Sequence, residues 1–159
     1  MSLRQELLSG AGCSFLVDIT ADYGDLLCGI SMICRCNKSG DLEFTVTQPE
    51  SIAGITGRIA DNSANLTFGD KILGFSLLAD NQFSPVSAPW ILMQTLRSGY
   101  IRSVADTKQG AFICYDDSYD DDALQVDVWL DNSNRPVSAE IVWQNRRILS
   151  MQITDFTFL

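Results

Sequence analysis

Apolar and polar residues alternate with a period of two over most of the chain, interrupted by two helical stretches. Ser2 to Ser9 places Leu3, Leu7 and Leu8 on one side, with Gly10 or Gly12 to end it, which predicts a short helix. Cys13 to Ala21 then alternates, with Phe15, Val17 and Ile19 on one face, and Asp25 to Cys36 reads as its antiparallel partner. Between them, Asp22-Tyr23-Gly24-Asp25 carries a tight-turn signal, with Gly at the second central position. If Tyr23 and Gly24 form the loop, Ile19 faces Cys28, Val17 faces Ile30, Phe15 faces Met32 and Cys13 faces Cys34. All eight then lie on one apolar face, whereas a slip by one residue would bring Asp18 and Ser31 into it. The same register predicts that Cys13 and Cys34 can be bridged, since opposed residues of a non-hydrogen-bonded pair have a separation a disulfide tolerates. Two buried thiols packed as small hydrophobes are the alternative.

The meander continues through Asp41–Thr47, with Leu42, Phe44 and Val46 inward, and through shorter strands at Ile55–Ala60, Asn65–Phe68 and Lys71–Phe75. Ser84-Pro85 then opens a helix that ends at Gly99, with Trp90, Ile91, Leu92, Met93 and Leu96 in helical spacing. Five more strands follow: Tyr100–Thr107, Ala111–Tyr115, Leu124–Leu130, Val137–Trp143 and Arg147–Phe158. The expected fold is mainly β (α+β): about ten or eleven antiparallel strands, an N-terminal helix and one inserted helix. No repeat, linker or low-complexity segment divides the chain, which predicts one domain over residues 1–159.

Composition narrows the chemistry. The 159 residues carry 11 Lys and Arg against 20 Asp and Glu, a net charge of −9. That balance argues against a nucleic-acid partner, which needs a basic face. There is no histidine, which excludes Ser-His-Asp and Cys-His catalysis and imidazole metal sites. The 5 cysteines lack a CxxC pair, so no structural zinc site and no other cofactor is expected. The acidic run Asp116-Asp117-Ser118-Tyr119-Asp120-Asp121-Asp122 lacks the spaced oxygens and closing Glu of a calcium loop and reads as a solvated turn. Asp127 and Glu140 are within register of each other, so a carboxylate pair for glycoside hydrolysis is a third functional reading; ordinary outward charges are the simpler one. Gly54 to Gly57 lacks the Lys and Ser/Thr of a phosphate loop.

The start of the chain lacks the apolar core of a signal peptide, and no apolar run reaches the ~20 residues of a membrane span. Met1 to Leu3 reads as a cloning remnant on a trimmed mature chain. The aromatic and methionine set Phe44, Phe68, Phe75, Trp90, Met93, Trp129 and Trp143 is core or ligand wall. A sheet this wide, with so few helices to cover it, must curl on itself or leave an apolar concavity, and an apolar concavity under a helix is a lipid-type site.

The layout resembles the LolA/LolB/RseB-type lipoprotein-carrier fold, and more narrowly the LolA-like lipoproteins of Firmicutes. The likeness spans roughly residues 3–159 and is carried by Phe44-Thr-Val-Thr-Gln-Pro49-Glu50 with Ile52-Ala-Gly54-Ile55, by Ser84-Pro85, by Leu124 to Leu130 with Pro136 and Glu140, and by Ile153-Thr-Asp-Phe156. It implies an incomplete barrel around an apolar cavity with helices as a lid, and an extracytoplasmic domain without catalysis, membrane-anchored in the full-length protein. The implied partners are an acyl chain or lipidated protein, or an envelope protein. On that reading Phe15, Val17, Ile30, Met32 and Phe44 form the cavity wall, and Trp90 and Met93 close it. The alternative is a scaffold domain whose cavity is filled by its own side chains and which acts through a surface or against a second copy of the chain.

Overall fold

A computed structural model describes residues 2–159 apart from 62, 69, 76, 77, 80 and 81. Helix α1 (Leu3–Ser9) opens with a capping box, in which the Ser2 hydroxyl accepts from the Gln5 N–H and the Gln5 side chain accepts from the Ser2 N–H. Strands β1 (Gly12–Asp22), β2 (Leu27–Asn37), β3 (Leu42–Gln48), β4 (Thr56–Ala60), β5 (Ser63–Phe68) and β6 (Lys71–Phe75) follow. A small hairpin of β7 (Leu78–Ala79) and β8 (Gln82–Phe83) leads to a single 3-10 turn and helix α2 (Ala88–Ser98). Strands β9 (Tyr100–Thr107), β10 (Gly110–Asp116), β11 (Gln125–Asp131), β12 (Pro136–Trp143) and β13 (Arg146–Phe158) complete the chain.

Eleven strands form one antiparallel sheet in the order β6-β5-β4-β3-β2-β1-β13-β12-β11-β10-β9. The first and last strands pair in its middle, so two meanders are joined along β1 and β13. Strands β6 and β9 are its edges, and the sheet is not closed into a barrel. The molecule exposes 8996 Å², above the roughly 7,900 Å² expected of a compact chain of this mass. Open edges account for part of that excess: every residue of β9 is exposed.

Alternation sorts the two faces. Phe15, Val17 and Ile19 of β1, Met32, Cys34 and Cys36 of β2, Leu42, Phe44 and Val46 of β3, and Leu149, Met151 and Ile153 of β13 are all buried on the inner face. Helix α2 lays Ala88, Ile91, Leu92, Met93 and Leu96 against the same core, and α1 adds Leu3 and Leu7.

The β1–β2 hairpin departs from expectation by two residues. Its tip is Gly24-Asp25, with Gly24 at φ 89° and the Tyr23 N–H donating to the Leu26 carbonyl at 3.0 Å. That backbone bond, with Asp22 opposite Leu27, makes Gly24 the first central residue of the turn and not the second, and the Asp22 carboxylate accepts from the Gly24 N–H at 2.8 Å. Moving a two-residue tip by one position moves every pair by two. Cys13 therefore faces Cys36, Phe15 faces Cys34, Val17 faces Met32 and Ile19 faces Ile30. Because the slip is even, the apolar face survives it unchanged.

Candidate functional site

The seven residues expected to line a cavity all belong to, or pack against, one hydrophobic core cluster. Phe15 and Phe44 flank Cys34 in one cross-strand row, and Val17 and Met32 face each other in the next. Met93 of α2 belongs to the same core cluster, and Trp90 and Ile30 pack partly buried against it. Phe15, Val17, Met32, Phe44 and Met93 are exposed by 2% or less; only Ile30 and Trp90 are half-buried. Phe44 illustrates the closure. Its partner in β4 is Gly57, and a Cβ at Gly57 would lie 2.2 Å from the ring Cζ. The ring therefore lies down on its own sheet, over the one position without a side chain.

None of the four grooves described at the surface is lined by more than one of the seven. Phe44 borders a groove of about 390 Å³ whose other walls include the outer-face residues Ile33, Arg35, Glu43, Thr45 and Arg58. Trp90 borders two grooves along α2: one of about 220 Å³ toward Asp117, the other of about 330 Å³ toward Ser39, Gly40, Asp41 and Asp61. The helix is thus packed down but not sealed at its flanks. The indole Nε1 of Trp90 is buried without a hydrogen-bond partner among the described residues.

What holds α2 is a reciprocal pair of arginines that sequence patterning misses. Arg4 of α1 donates to the α2 carbonyls of Leu96 at 2.9 Å and Thr95 at 3.3 Å, and to Gly99 at 2.7 Å. Arg97 of α2 donates to Leu7 at 3.0 Å and to Lys38 at 2.9 Å. Arg4 sits at the C-terminal end of α2 and Arg97 on a carbonyl at the end of α1 and one in the β2–β3 turn; a cation at a helix C-terminus is favoured by the helix dipole. Gln94 adds a bond to the Gly40 carbonyl at 3.0 Å.

The other candidates fare differently. Trp129 lies on the outer face, its ring 5.0 Å from that of Phe112, and so leaves the inner aromatic set. Trp143 packs partly buried against the core. The side chains of Phe68 and Phe75 lie outside the described residues. The acidic run is organised as a turn: the Asp117 N–H donates to the Leu124 carbonyl, and the Asp117 carboxylate accepts from the Leu124 N–H at 2.8 Å. Among the described residues no group of three or more His, Cys, Asp or Glu side chains is placed to hold a metal. Asp127 and Glu140 are directly opposed, but on the outer face and engaged elsewhere. Asp127 accepts from Gln125 at 3.0 Å, and Glu140 pairs with Arg147 at 3.0 Å.

All five cysteines stand as thiols. The direct opposition on which a Cys13–Cys34 bridge depends is replaced by Cys13 against Cys36. The Cys36 thiol donates to the Asn37 carbonyl at 3.7 Å; the neighbouring Cys36 and burial raise the Cys13 thiol far above its usual range, and the neighbouring Cys13 draws the Cys36 thiol down. Burial pushes the Cys34 thiol well up.

The chain thus folds as one open antiparallel sheet with two helices packed on its inner face. No family model matches the chain, and no curated protein is significantly similar to it in sequence. Solved structures do share the architecture. An uncharacterized conserved protein from Thermus thermophilus matches 98% of this chain and 83% of its own at 8% identity and a TM-score of 0.56. A domain assigned to outer membrane lipoprotein sorting in Vibrio parahaemolyticus matches over 98% and 88% at 11% identity and 0.51. A LolA superfamily protein from Nitrosomonas europaea matches over 98% and 93% at 10% identity and 0.47. The chain shares its fold with the first two of these.

Proposed function

We propose that this chain is a non-enzymatic, extracytoplasmic carrier-type domain, anchored to a membrane in its full-length form. It takes an acyl chain, free or on a lipidated protein, onto the inner face of its sheet. The observation that carries this reading is the way α2 covers that face. One eleven-residue helix lies over the apolar wall, tied by Arg4 and Arg97 near its C-terminal end and flanked on both sides of Trp90 by open grooves. Polar ties to carbonyls can be exchanged for water, whereas a core knitted by many chain crossings cannot. On this reading α2 lifts, and Phe15, Val17, Ile30, Met32 and Phe44 become the wall, with Trp90 and Met93 closing over the ligand. A fold shared with a lipoprotein-sorting domain supports the class.

A second reading has its own observation. The wall residues are already buried against the chain's own helix, as in a scaffold whose cavity is filled and whose partner, an envelope protein or a second copy, docks at a surface. The exposed edge strand β9 fits that use. The test is titration with a long-chain fatty acid of a variant keeping Trp90 as its only tryptophan (Trp129→Phe, Trp143→Phe). The carrier reading expects a saturable change in Trp90 emission. Emission unchanged across the titration, with no ligand retained after gel filtration, overturns it in favour of the scaffold.

A further inference from the structure

We propose that Cys13 and Cys36 form an intrachain disulfide when the chain folds in contact with a thiol-oxidising disulfide. The β1–β2 ladder runs for eleven consecutive pairs, from Gly12 opposite Asn37 to Asp22 opposite Leu27, without a bulge, and Cys13 stands directly opposite Cys36 within it. Both side chains point to the inner face and are 0% and 1% exposed. Opposed residues of an antiparallel pair have Cα atoms about 4.5–5.5 Å apart, inside the range of about 4.4–6.8 Å that disulfides span.

The other thiols are excluded by position. Cys34 is opposite Phe15 and Phe44, and Cys28 is opposite Ala21. Cys114 stands on β10 opposite Ser103 and Asp127. The bridge would tie β1 to β2 at the centre of the sheet, beside the turn to which Arg97 fastens α2. It is independent of what the inner face binds.

The chemistry balances as two successive exchanges. The Cys36 thiolate attacks one sulfur of a small-molecule disulfide and expels a thiolate. The Cys13 thiolate then attacks the mixed disulfide at the Cys36 sulfur and expels the second. Two electrons pass to the oxidant, and the two thiol protons end on the departing thiols. Because both sulfurs are buried in the folded chain, the exchange belongs to folding.

The test is refolding of the reduced, denatured chain in a glutathione/glutathione-disulfide buffer, followed by denaturing alkylation, intact mass and peptide mapping. The expected result is alkylation of two fewer thiols than the 5 in the chain, with one cross-linked peptide pair joining Cys13 to Cys36. Cys34→Ser should leave that pair intact, and Cys36→Ser should abolish it. Reduction of the bridged protein should lower Tm by roughly 10 °C. Alkylation of all five thiols after refolding, or a bridge that maps to any other pair, overturns the proposal. Should Cys36→Ser fail to fold, the wild-type peptide map decides alone.

Discussion

Gly57→Ala isolates how tightly the inner face is closed. The backbone at Gly57 has no left-handed φ, so alanine is conformationally allowed there. On propensity alone the exchange should stabilise a strand interior by about 0.5–1 kcal/mol. The structure predicts the opposite sign. An added Cβ would lie 2.2, 2.6 and 2.9 Å from three atoms of the Phe44 ring. That ring is 2% exposed and shares its face with Cys34, Leu42 and Val46, so making room for the Cβ means moving it against packed neighbours. Overpacking of this kind costs about 1–3 kcal/mol, which leaves a net loss of roughly 1–2 kcal/mol after the propensity gain. For a chain of this size that is a fall in Tm of about 2–8 °C. A double-mutant cycle makes the attribution specific. In a Phe44→Leu background the ring is gone, and Gly57→Ala should become neutral or stabilising, a coupling of at least about 1 kcal/mol. Thermal and urea melts of the four proteins measure it. A neutral or stabilising Gly57→Ala in the wild-type background refutes the reasoning, because it would mean that Phe44 swings freely off the sheet and that the inner face is open.

Arg97→Ala removes the bonds from α2 to the Leu7 and Lys38 carbonyls. Hydrogen exchange of the α2 amides should then accelerate by about tenfold while the β1 and β13 amides are unchanged; equal exchange in both proteins would show that Arg97 does not hold the helix. Met32→Glu should leave little folded protein, because the carboxylate would be buried without a partner between Val17 and Val46; a native circular-dichroism spectrum and melt for this variant would contradict the closed core. Burial first, and the Asp127 carboxylate second, push the Cys114 thiol up to about 11. At pH 8 its alkylation should therefore run about 100-fold slower than that of an unperturbed thiol and rise only near that pKa. The folded-state value lies above the unfolded one, so the associated stability is full below pH ~9 and is lost as pH rises toward and through 11. Mass-spectrometric labelling rates against pH check the first statement, and urea melts between about pH 8 and 11 check the second.

The strands and their faces were legible because a period of two, once phased by Phe15, Val17 and Ile19, decides which side chains share a core. The β1–β2 register was legible only modulo two. Both Tyr23-Gly24 and Gly24-Asp25 make a two-residue tip with Gly in it, and hydrophobic patterning cannot separate an even slip. The backbone bond from the Tyr23 N–H to the Leu26 carbonyl does, and it has no signature in side-chain patterning. The place of Phe15, Val17, Met32, Phe44 and Met93 in one core followed from the same alternation plus one amphipathic helix. Their closure did not, because it depends on volumes: a ring over Gly57, and Leu92 and Met93 set fully into the core. The arginine ties lay beyond reach for another reason. Arg4 and the carbonyl of Gly99 are 95 positions apart, and a carbonyl acceptor leaves no trace in side-chain chemistry. Trp129 misled because an aromatic on a strand serves either face equally; its partner across the pair, Phe112, marks it as outward.

The central claim is that the inner face of the sheet takes up an acyl chain beneath α2. Native mass spectrometry of the protein as purified, with organic extraction of whatever is bound, tests it most directly. The account predicts a second species heavier by one fatty acid or phospholipid, lost on extraction and restored by incubation with that lipid, with Arg97→Ala taking up more. A single apo mass that persists after incubation with fatty acid and phospholipid, for both the wild type and Arg97→Ala, would contradict it.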